Sequence, residues 1–264
     1  MKRITGRNIY VTDLHKVLVK AGGPAKFAAI CKASQFTAVW VRLGRGPGLD
    51  HNFQIAELPD VRQELDNAGV ELWGWHVPFC ADPNDARDEA SKLVAWAEQF
   101  SLAGLLLDAE KTDESPRFRG GPAEAKIYAG EVHAGLTAKG RGIALSSHDQ
   151  PSLHADLPFD IFLANVADNC PQVYYRSKNV KTRFDKSVHD YKPLEQGRDF
   201  TDRYKPTGNI TMSEDLPLPD VPTCLAAAKN FIDLVKSGGY RAYSFWCWDT
   251  APKEIWKFFE DTPV

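Results

Sequence analysis

The sequence predicts an α/β protein, a single (β/α)₈ TIM barrel domain that spans residues 1–264. Its 264 residues are close to the ~250 residues of one such barrel and too few for two typical domains. Eight short β-rich runs alternate with longer helical patterns, which indicates parallel βαβ units. An open doubly wound sheet is the alternative. However, the segment after the first strand, Asp13-Leu14-His15-Lys16, is not the glycine-rich phosphate loop typical of that architecture.

The predicted strands are short runs rich in β-branched, aromatic and other apolar residues, bounded by glycine, proline or polar residues. The fourth run, AGLLLDAE, is the clearest, because three consecutive leucines lead directly into two carboxylates. In chain order the eight runs are Asn8–Asp13, Thr37–Leu43, Val70–Phe79, Ala103–Glu110, Gly142–His148, Pro171–Tyr175, Asn209–Ser213 and Tyr240–Trp248.

Helical periodicity and end signals predict helices in most of the segments between these strands. Proline at an early helical position and glycine after the last turn mark several of their ends. The predicted helices are Gly23–Ser34, Leu58–Ala68, Asp82–Phe100, Pro122–Lys139, Val221–Lys236 and Pro252–Glu260. Beyond a helical turn within Leu157–Asn169, the sequence predicts no regular element between the fifth and sixth strands. It also predicts no regular element in the long segment between the sixth strand and Lys205.

Composition and charge are those of an ordinary globular protein, with 43% hydrophobic and 25% charged residues. The net charge is −3, and the acids and bases are mixed along the chain, so there is no electrostatic basis for binding nucleic acid. No stretch approaches the ~18 to 20 consecutive apolar residues that a membrane helix requires. We therefore expect neither nucleic acid nor a membrane as a partner, and the oligomeric state is left open.

The amino terminus and the cysteines indicate a cytoplasmic location. Positive charge in Met1–Asn8 is not followed by an apolar stretch, so no secretory signal is predicted. Export of a phage-derived enzyme by another route is left open. The five cysteines have no CxxC spacing and are expected to be buried, reduced thiols. They are Cys31, Cys80, Cys170, Cys224 and Cys247.

Two carboxylates at the end of the fourth strand are the predicted catalytic pair. Because alternate residues of a strand share a face, Asp108 and Glu110 lie on the same side, and Leu105 and Leu107 face the helices. The carboxyl ends of barrel strands are where barrel enzymes keep their catalytic groups. Proximity is expected to raise the pKa of one carboxyl group. The alternative is that the two carboxylates have no catalytic role and simply mark the point where the strand gives way to a solvated loop.

The same alternation predicts a set of substrate-binding side chains at the mouth of the barrel. On the third and fifth strands, His76 and His148 follow small residues that would face inward. Arg42 and Asp249 lie at strand ends, and a surface salt bridge is the alternative to a role in substrate binding for each of them. The predicted substrate-binding residues are Asp13, Arg42, His76, His148, Gln172, Tyr174, Trp246, Trp248 and Asp249.

Seven tryptophans are present, and they are predicted to serve two purposes. Trp246 and Trp248 share a face at the end of the last strand, where an indole ring offers a flat apolar platform and an N–H donor to a sugar ring. Trp73, Trp75 and Trp96 are predicted to pack helices against strands.

The Asp108-Ala109-Glu110 motif resembles the DxE motif of the glycoside hydrolase family 25 lysozymes and of related bacterial glycoside hydrolase-like barrels of uncertain function. Gly74–Phe79 is similar to the Gly-aromatic-His/Tyr strand of those barrels, and Phe245–Asp249 to their aromatic last strand. The resemblance implies a lysozyme-like barrel of bacterial or phage origin. The family's first strand ends in a GxDxS-type motif, whereas this one reads YVTDL, with Asp13 as the candidate for that aspartate. This departure argues against muramidase specificity more than against the barrel.

The leading hypothesis is hydrolysis of a glycosidic bond, in an N-acetylated cell-wall glycan, without a metal or other cofactor. Glu110 would protonate the leaving oxygen. Asp108 would orient a substrate acetamido group that acts as the nucleophile, or stabilise positive charge at the anomeric carbon. Two alternatives remain. One is a metal-dependent sugar isomerase or hydrolase with Glu110, His76, His148 and Glu214 as ligands, although no HExxH motif is present. The other is a catalytically silent barrel that binds a glycan.

Overall fold

The computed structural model describes residues 1–111, 117–176, 179–212 and 218–264, and its sheet is a closed barrel. Eight parallel strands follow one another around it, and the first pairs with both the second and the last. This confirms the predicted (β/α)₈ barrel. A ninth, two-residue strand, β3, runs antiparallel to the end of β2. The strands are β1 Gly6–Val11, β2 Phe36–Arg45, β3 Gly48–Leu49, β4 Glu71–Val77, β5 Gly104–Asp108, β6 Gly142–His148, β7 Asp168–Gln172, β8 Thr207–Asn209 and β9 Ala242–Trp246.

Ten α-helices connect the strands in the described residues and include every helix that the sequence predicts. Aspartate side chains cap several of them; Asp82, for example, accepts the backbone N–H groups of Asn84 and Asp85. No helix in these residues is both long and apolar enough to span a membrane. The helices are α1 Leu14–Ala21, α2 Pro24–Ala33, α3 Leu58–Ala68, α4 Pro83–Gln99, α5 Pro122–Thr137, α6 Phe159–Ala164, α7 Val180–Tyr191, α8 Phe200–Arg203, α9 Val221–Ser237 and α10 Glu254–Asp261.

Two strands differ from their predicted positions. The predicted sixth strand began at Pro171, whereas β7 spans Asp168–Gln172. The apolar signal came from Val173–Tyr175, which lie beyond its end, while Asp168 and Asn169 are poor strand formers. The predicted seventh strand, Asn209–Ser213, overlaps β8 at one residue and reaches residue 213, which lies outside the described part of the chain.

The core has two layers, one inside the barrel and one between the barrel and its helices. On β5 the alternation is as predicted: Leu106 packs inside, and Leu105 and Leu107 pack under the helices. On β4 the prediction for the tryptophans is wrong, because Trp73 and Trp75 fill the barrel interior. The strand reads ELWGWHV, which is apolar on both faces, so its periodicity does not indicate which face is inside.

Glycines make room for the lower of these two indole rings. A Cβ atom at Gly104 would lie 2.4 Å from the Trp73 ring, and one at Gly142 would lie 2.2 Å from it. Both glycines lie on strands adjacent in the barrel, β5 and β6. The lower part of the interior is therefore filled by the Trp73 ring opposite two glycines, which have no side chains.

Candidate active site

The structure brings Asp108 and Glu110 together at the carboxyl end of β5. The amide of Gln172, at the end of β7, lies between them: its Nε2 donates to Asp108 Oδ1 at 2.7 Å and to Glu110 Oε1 at 2.8 Å. The three side chains are almost completely buried, with exposures of 5%, 8% and 9% for Asp108, Glu110 and Gln172. Two carboxylates that share one donor in a site with little water are a pair whose protonation is linked.

Two hydroxyl groups, those of Ser146 and Tyr10, fix the position of the Asp108 carboxyl group. Ser146 on β6 donates from Oγ to Asp108 Oδ1 at 2.9 Å, and the Tyr10 hydroxyl on β1 donates to Ser146 Oγ at 3.0 Å. The chain of hydrogen bonds therefore crosses the barrel from β1 to β5. Ser146 lies two residues before His148, on the face that the sequence predicts to be inward, whereas Tyr10 was missed. The alternation on β1, where Asn8 and Tyr10 share a face, is the signal that could have identified it.

The environment of Asp108 disfavours its charged form. Burial is the largest cause and the negative charge of Glu110 the second, and together they raise the pKa of Asp108 to about 7. Arg117, Ser146 and Arg45 oppose this shift. A raised pKa was expected for one group of the pair, with Glu110 as the proton donor, and the raised pKa is that of Asp108. It can hold or release a proton near neutral pH.

Arg117 is a second residue that the sequence did not single out. Its Nη1 lies 2.7 Å from Glu110 Oε1, the same oxygen that accepts from Gln172. It follows the strand by only a few residues, in a segment where the sequence has no periodic pattern, so no sequence signal marks it. The guanidinium thus forms an ion pair with one of the two predicted catalytic residues.

Aromatic rings form one wall beside the carboxylates. Trp246, at the end of β9, has its ring centroid 5.4 Å from that of Tyr10, 5.7 Å from that of Trp75 and 5.9 Å from that of Tyr174. Trp246 and Tyr174 are partly exposed. Burial and the neighbouring acidic groups raise the pKa of Tyr174 well above its usual value, so the phenol keeps its proton. The wall offers flat apolar faces together with hydrogen-bond donors.

Arg42 and His148 also lie at this mouth. The guanidinium of Arg42 is 5.7 Å from the Trp75 ring, and its Nε donates to Asp50 Oδ2 at 2.5 Å. His148 stacks on His154 with ring centroids 3.5 Å apart and accepts the backbone N–H of Lys111. Burial, followed by the charge of His154, lowers the pKa of His148 to about 4, so the imidazole is neutral at the rim.

Four predicted site residues lie elsewhere, and His76 is the first. It is fully buried and faces the helix layer, where Nδ1 lies 2.8 Å from the Tyr128 hydroxyl and Nε2 lies 2.7 Å from the Gly46 carbonyl. Burial lowers its pKa to about 4. The prediction that His76 faces inward is wrong because Gly74, on the same face, makes room for Leu102 and Leu105 of the outer layer.

The predicted placement of Trp248 at the mouth is also wrong. β9 ends at Trp246 and a 3₁₀ turn, Trp248–Thr250, follows, so the two-residue alternation of a strand no longer applies. Trp248 is 3% exposed and packs in the outer layer, with its ring centroid 4.1 Å from that of Trp256 and 4.8 Å from that of Phe27.

Asp249 and Asp13 stabilise the chain where β1 ends, and neither points to the carboxylate pair. Asp249 accepts the backbone N–H groups of Thr12 and Asp13 at 2.8 and 2.6 Å. Asp13 caps α1 by accepting the backbone N–H of Lys16. Backbone N–H groups at a strand end and a helix start need acceptors, and these two carboxylates supply them.

The hypothesis of a metal site built on His76, His148, Glu110 and Glu214 is not supported by this geometry. Both ring nitrogens of His76 form hydrogen bonds in the helix layer, with the Tyr128 hydroxyl and the Gly46 carbonyl. Glu110, in contrast, lies at the mouth of the barrel with Gln172. Glu214 lies outside the described residues. Among the residues that are described, no three His, Cys, Asp or Glu side chains are grouped so as to hold a metal ion.

Several solved structures share this fold, and their names describe an N-acetylglucosaminidase, chitinases and a spore cortex-lytic enzyme. No protein-family model matches this sequence, and no curated protein does. An N-acetylglucosaminidase of glycoside hydrolase family 18 from Paenibacillus barengoltzii has a TM-score of 0.69 at 10% identity over 98% of this chain and 99% of its own. A class V chitinase from Nicotiana tobaccum has a TM-score of 0.67 at 10% identity over 98% of each chain. The spore cortex-lytic enzyme SleL of Bacillus cereus has a TM-score of 0.66 at 10% identity over 100% of this chain and 76% of its own. At such identities the likeness shows the fold. None of these three is named as a family 25 lysozyme, so the comparisons do not support the resemblance of the DxE motif to that family.

Proposed function

We propose that the protein hydrolyses a glycosidic bond in a glycan of N-acetylated sugars. The observation that carries this proposal is the buried Asp108–Glu110 pair, bridged by Gln172 and set beside the Trp246 wall at the mouth of the barrel. The substrate class is supported by the names of the proteins that share the fold, a chitinase and an N-acetylglucosaminidase. The wall also suits a sugar ring, which stacks its apolar face on an indole.

In this mechanism the substrate displaces the Arg117 guanidinium from Glu110, and the proton held by the carboxylate pair passes to Glu110, which donates it to the oxygen of the leaving sugar. Asp108, held by Ser146 and Gln172, accepts the N–H of the substrate's acetamido group and turns its carbonyl oxygen toward the anomeric carbon. The oxygen attacks as the glycosidic bond breaks, and water later opens the resulting ring, with Glu110 now acting as the base. No second protein carboxylate has to bond covalently to the sugar.

A second candidate function is glycan binding without turnover, and one contact favours it. Glu110 is paired with Arg117 at 2.7 Å, and a carboxylate in an ion pair is a poor proton donor. Hydrolysis therefore requires the substrate to displace the Arg117 guanidinium from Glu110. A barrel in which this contact persists would bind a glycan against Trp246 and leave it intact.

One screen separates these two functions. The protein is incubated with chitooligosaccharides and with peptidoglycan, and both the release of new reducing ends and binding are measured. We expect cleavage of at least one N-acetylated glycan. In Trp246→Ala we expect weaker binding, by roughly tenfold, because the stacking face is lost. Trp256→Ala, which removes an indole from the outer layer, is the matched control. Binding that depends on Trp246 without any cleavage would contradict the hydrolase and support the silent barrel.

A further inference from the structure

The residue that carries the predicted proton donor lies beyond the end of its strand. β5 ends at Asp108, so the backbone groups of the next residues need partners other than the regular pairing of β5 with β6. Ala109 is fully buried and Glu110 is 8% exposed, so water cannot supply those partners. The hydroxyl group of Ser147 on β6 donates to the Ala109 carbonyl, and the residue before Glu110 is thereby fixed to the neighbouring strand.

The peptide group that follows Glu110 is held at both of its polar atoms. The Glu110 carbonyl accepts the backbone N–H of Phe118 at 3.0 Å. The N–H of the same peptide group, which belongs to Lys111, donates to Nε2 of His148 at 3.3 Å. His148 is the last residue of β6, so its side chain takes over from the strand backbone where β5 has ended. These two contacts set the plane of the peptide group and, with it, the direction of the Glu110 side chain.

His148 is well suited to accept this hydrogen bond. Burial, followed by the charge of His154, lowers its pKa to about 4, and a neutral imidazole has one nitrogen free to accept. Its ring stacks on that of His154, with the centroids 3.5 Å apart and the planes 7° apart. Its own carbonyl accepts the Tyr191 hydroxyl at 2.6 Å. Contacts to both the ring and the backbone therefore keep Nε2 beside Lys111.

We propose that His148 is a positioning residue for Glu110, whose backbone it fixes through the Lys111 N–H. This inference rests on the proposed function, and it gives His148 a role other than the substrate binding that the sequence predicts. A proton donor works only within hydrogen-bond reach of the leaving oxygen, and a displacement of about 1 Å can slow a reaction by about 10²-fold. Because Glu110 must also exchange Arg117 for the substrate, a fixed backbone keeps the carboxyl group in place during that exchange.

Two substitutions separate the acceptor from the ring. His148→Gln places a carbonyl oxygen near the position of Nε2, whereas His148→Phe keeps a flat ring against His154 and removes the acceptor. His154→Ala removes only the stacked, partly exposed ring, and it tests the proposal if His148→Phe does not fold. The matched control is His133→Phe on α5, where the imidazole Nδ1 lies 2.8 Å from the Asn165 carbonyl.

Two measurements need no turnover, namely amide hydrogen exchange of Lys111 and the titration of the Glu110 carboxyl carbon followed by NMR. In His148→Phe we expect the Lys111 amide to exchange about tenfold faster, because one hydrogen bond is lost, and the Glu110 titration to shift. His148→Gln should retain both parental properties. His154→Ala should change both in the same direction as His148→Phe but by less, and His133→Phe should change neither.

Turnover is then measured on an unactivated N-acetylated glycan and on its analogue with a good leaving group. In His148→Phe we expect kcat on the unactivated glycan to fall by roughly tenfold, a part of the contribution of a general acid, with KM and the activated substrate little changed. His148→Gln should recover the rate to within about threefold of the parent.

Three results would overturn the positioning role. They are a loss of rate that is equal on the two substrates, a KM that rises in both His148 variants, and parental Lys111 exchange with parental Glu110 titration in His148→Phe. The first indicates general damage to the site and the second a contact with the substrate. If the parent cleaves no glycan, the hydrolase is refuted, and the exchange and titration measurements alone decide whether His148 fixes Glu110.

Discussion

The carboxyl group of Asp108 lies in a buried environment that disfavours its charged form. Its pKa is about 7 in the folded protein, against 3.8 for an ordinary aspartate, because it is buried beside Glu110. The folded protein therefore binds this proton up to a higher pH than the unfolded chain. As a consequence the free energy of unfolding falls as pH rises between the two pKa values, by up to about 1.4 kcal/mol per pH unit.

We expect Asp108→Asn to remove this contribution, because asparagine stays neutral while keeping a carbonyl oxygen for Ser146 and Gln172. Urea unfolding of the parent and of the variant at about pH 5 and about pH 7 measures the change. Asp60→Asn, an exposed aspartate on α3, is the matched control. If the parent and Asp108→Asn lose stability equally between the two pH values, the carboxyl group of Asp108 is not the one that the site keeps protonated.

Among the elements, β5 and β4 mark what the sequence could and could not predict. On β5 the apolar run ends in Asp108 and Glu110, so the change from apolar to acidic residues indicates both the inward face and the end of the strand. On β4 both faces are buried, and the face that carries Gly74 packs against Leu102 and Leu105 of the outer layer. Burial of both faces of a parallel strand removes the two-residue pattern on which the prediction of His76 depended.

The end of β9 shows a second limit of prediction from sequence. Alternation placed Trp246 correctly inside the mouth, and it failed at Trp248 because the strand had already ended. Arg117 was missed for a related reason. It reaches Glu110 beside a non-local contact, in which the backbone N–H of Phe118 donates to the Glu110 carbonyl at 3.0 Å. Contacts made by loops depend on the closed structure, and no local period of the sequence encodes them.

The floor of the barrel provides a test at the scale of the element. A Cβ atom at Gly104 would lie 2.4 Å from the Trp73 ring, so Gly104→Ala forces the indole or the strand to move. We expect a loss of about 1 to 3 kcal/mol in the free energy of unfolding, as for other overpacked cores. The matched control is Gly130→Ala on α5, where the nearest atom is 4.0 Å away and alanine favours the helix. Equal stability of Gly104→Ala and the parent in urea would contradict the packing of Trp73 against β5.

At the scale of the whole molecule, the repeated alternation of strands and helices was sufficient to predict the barrel. Eight βα units leave each strand between two parallel neighbours, and closure pairs β1 with β9. The sequence predicted less well where the units are irregular. β8 has only three residues, TGN, and the helices α6 and α8 have six and four, so their local patterns are weak. The longer helix α7 was missed although Val180, Phe184 and Tyr191 share its buried face.

The cysteines give a prediction about the whole chain. All five lie in the described residues, where each is buried and none forms a disulfide. For the proposed cytoplasmic location we expect five free thiols when native, unreduced protein is denatured and titrated with a thiol reagent. A titre of three or fewer would mean that the protein forms disulfides in its native compartment and would count against that location.

The most direct test of the central claim, that Glu110 is the proton donor of a glycosidase, is the rate of Glu110→Gln on two substrates. Glutamine preserves the shape and the hydrogen bond to Gln172 but removes the proton, so the variant should fold. On an unactivated N-acetylated glycan we expect a loss of about 10² to 10⁴-fold, the usual contribution of a general acid. A substrate with a good leaving group needs little protonation and should be largely spared, whereas Asp108→Asn should slow both substrates. Hydrolysis of the unactivated glycan by Glu110→Gln at the parental rate would contradict the assignment.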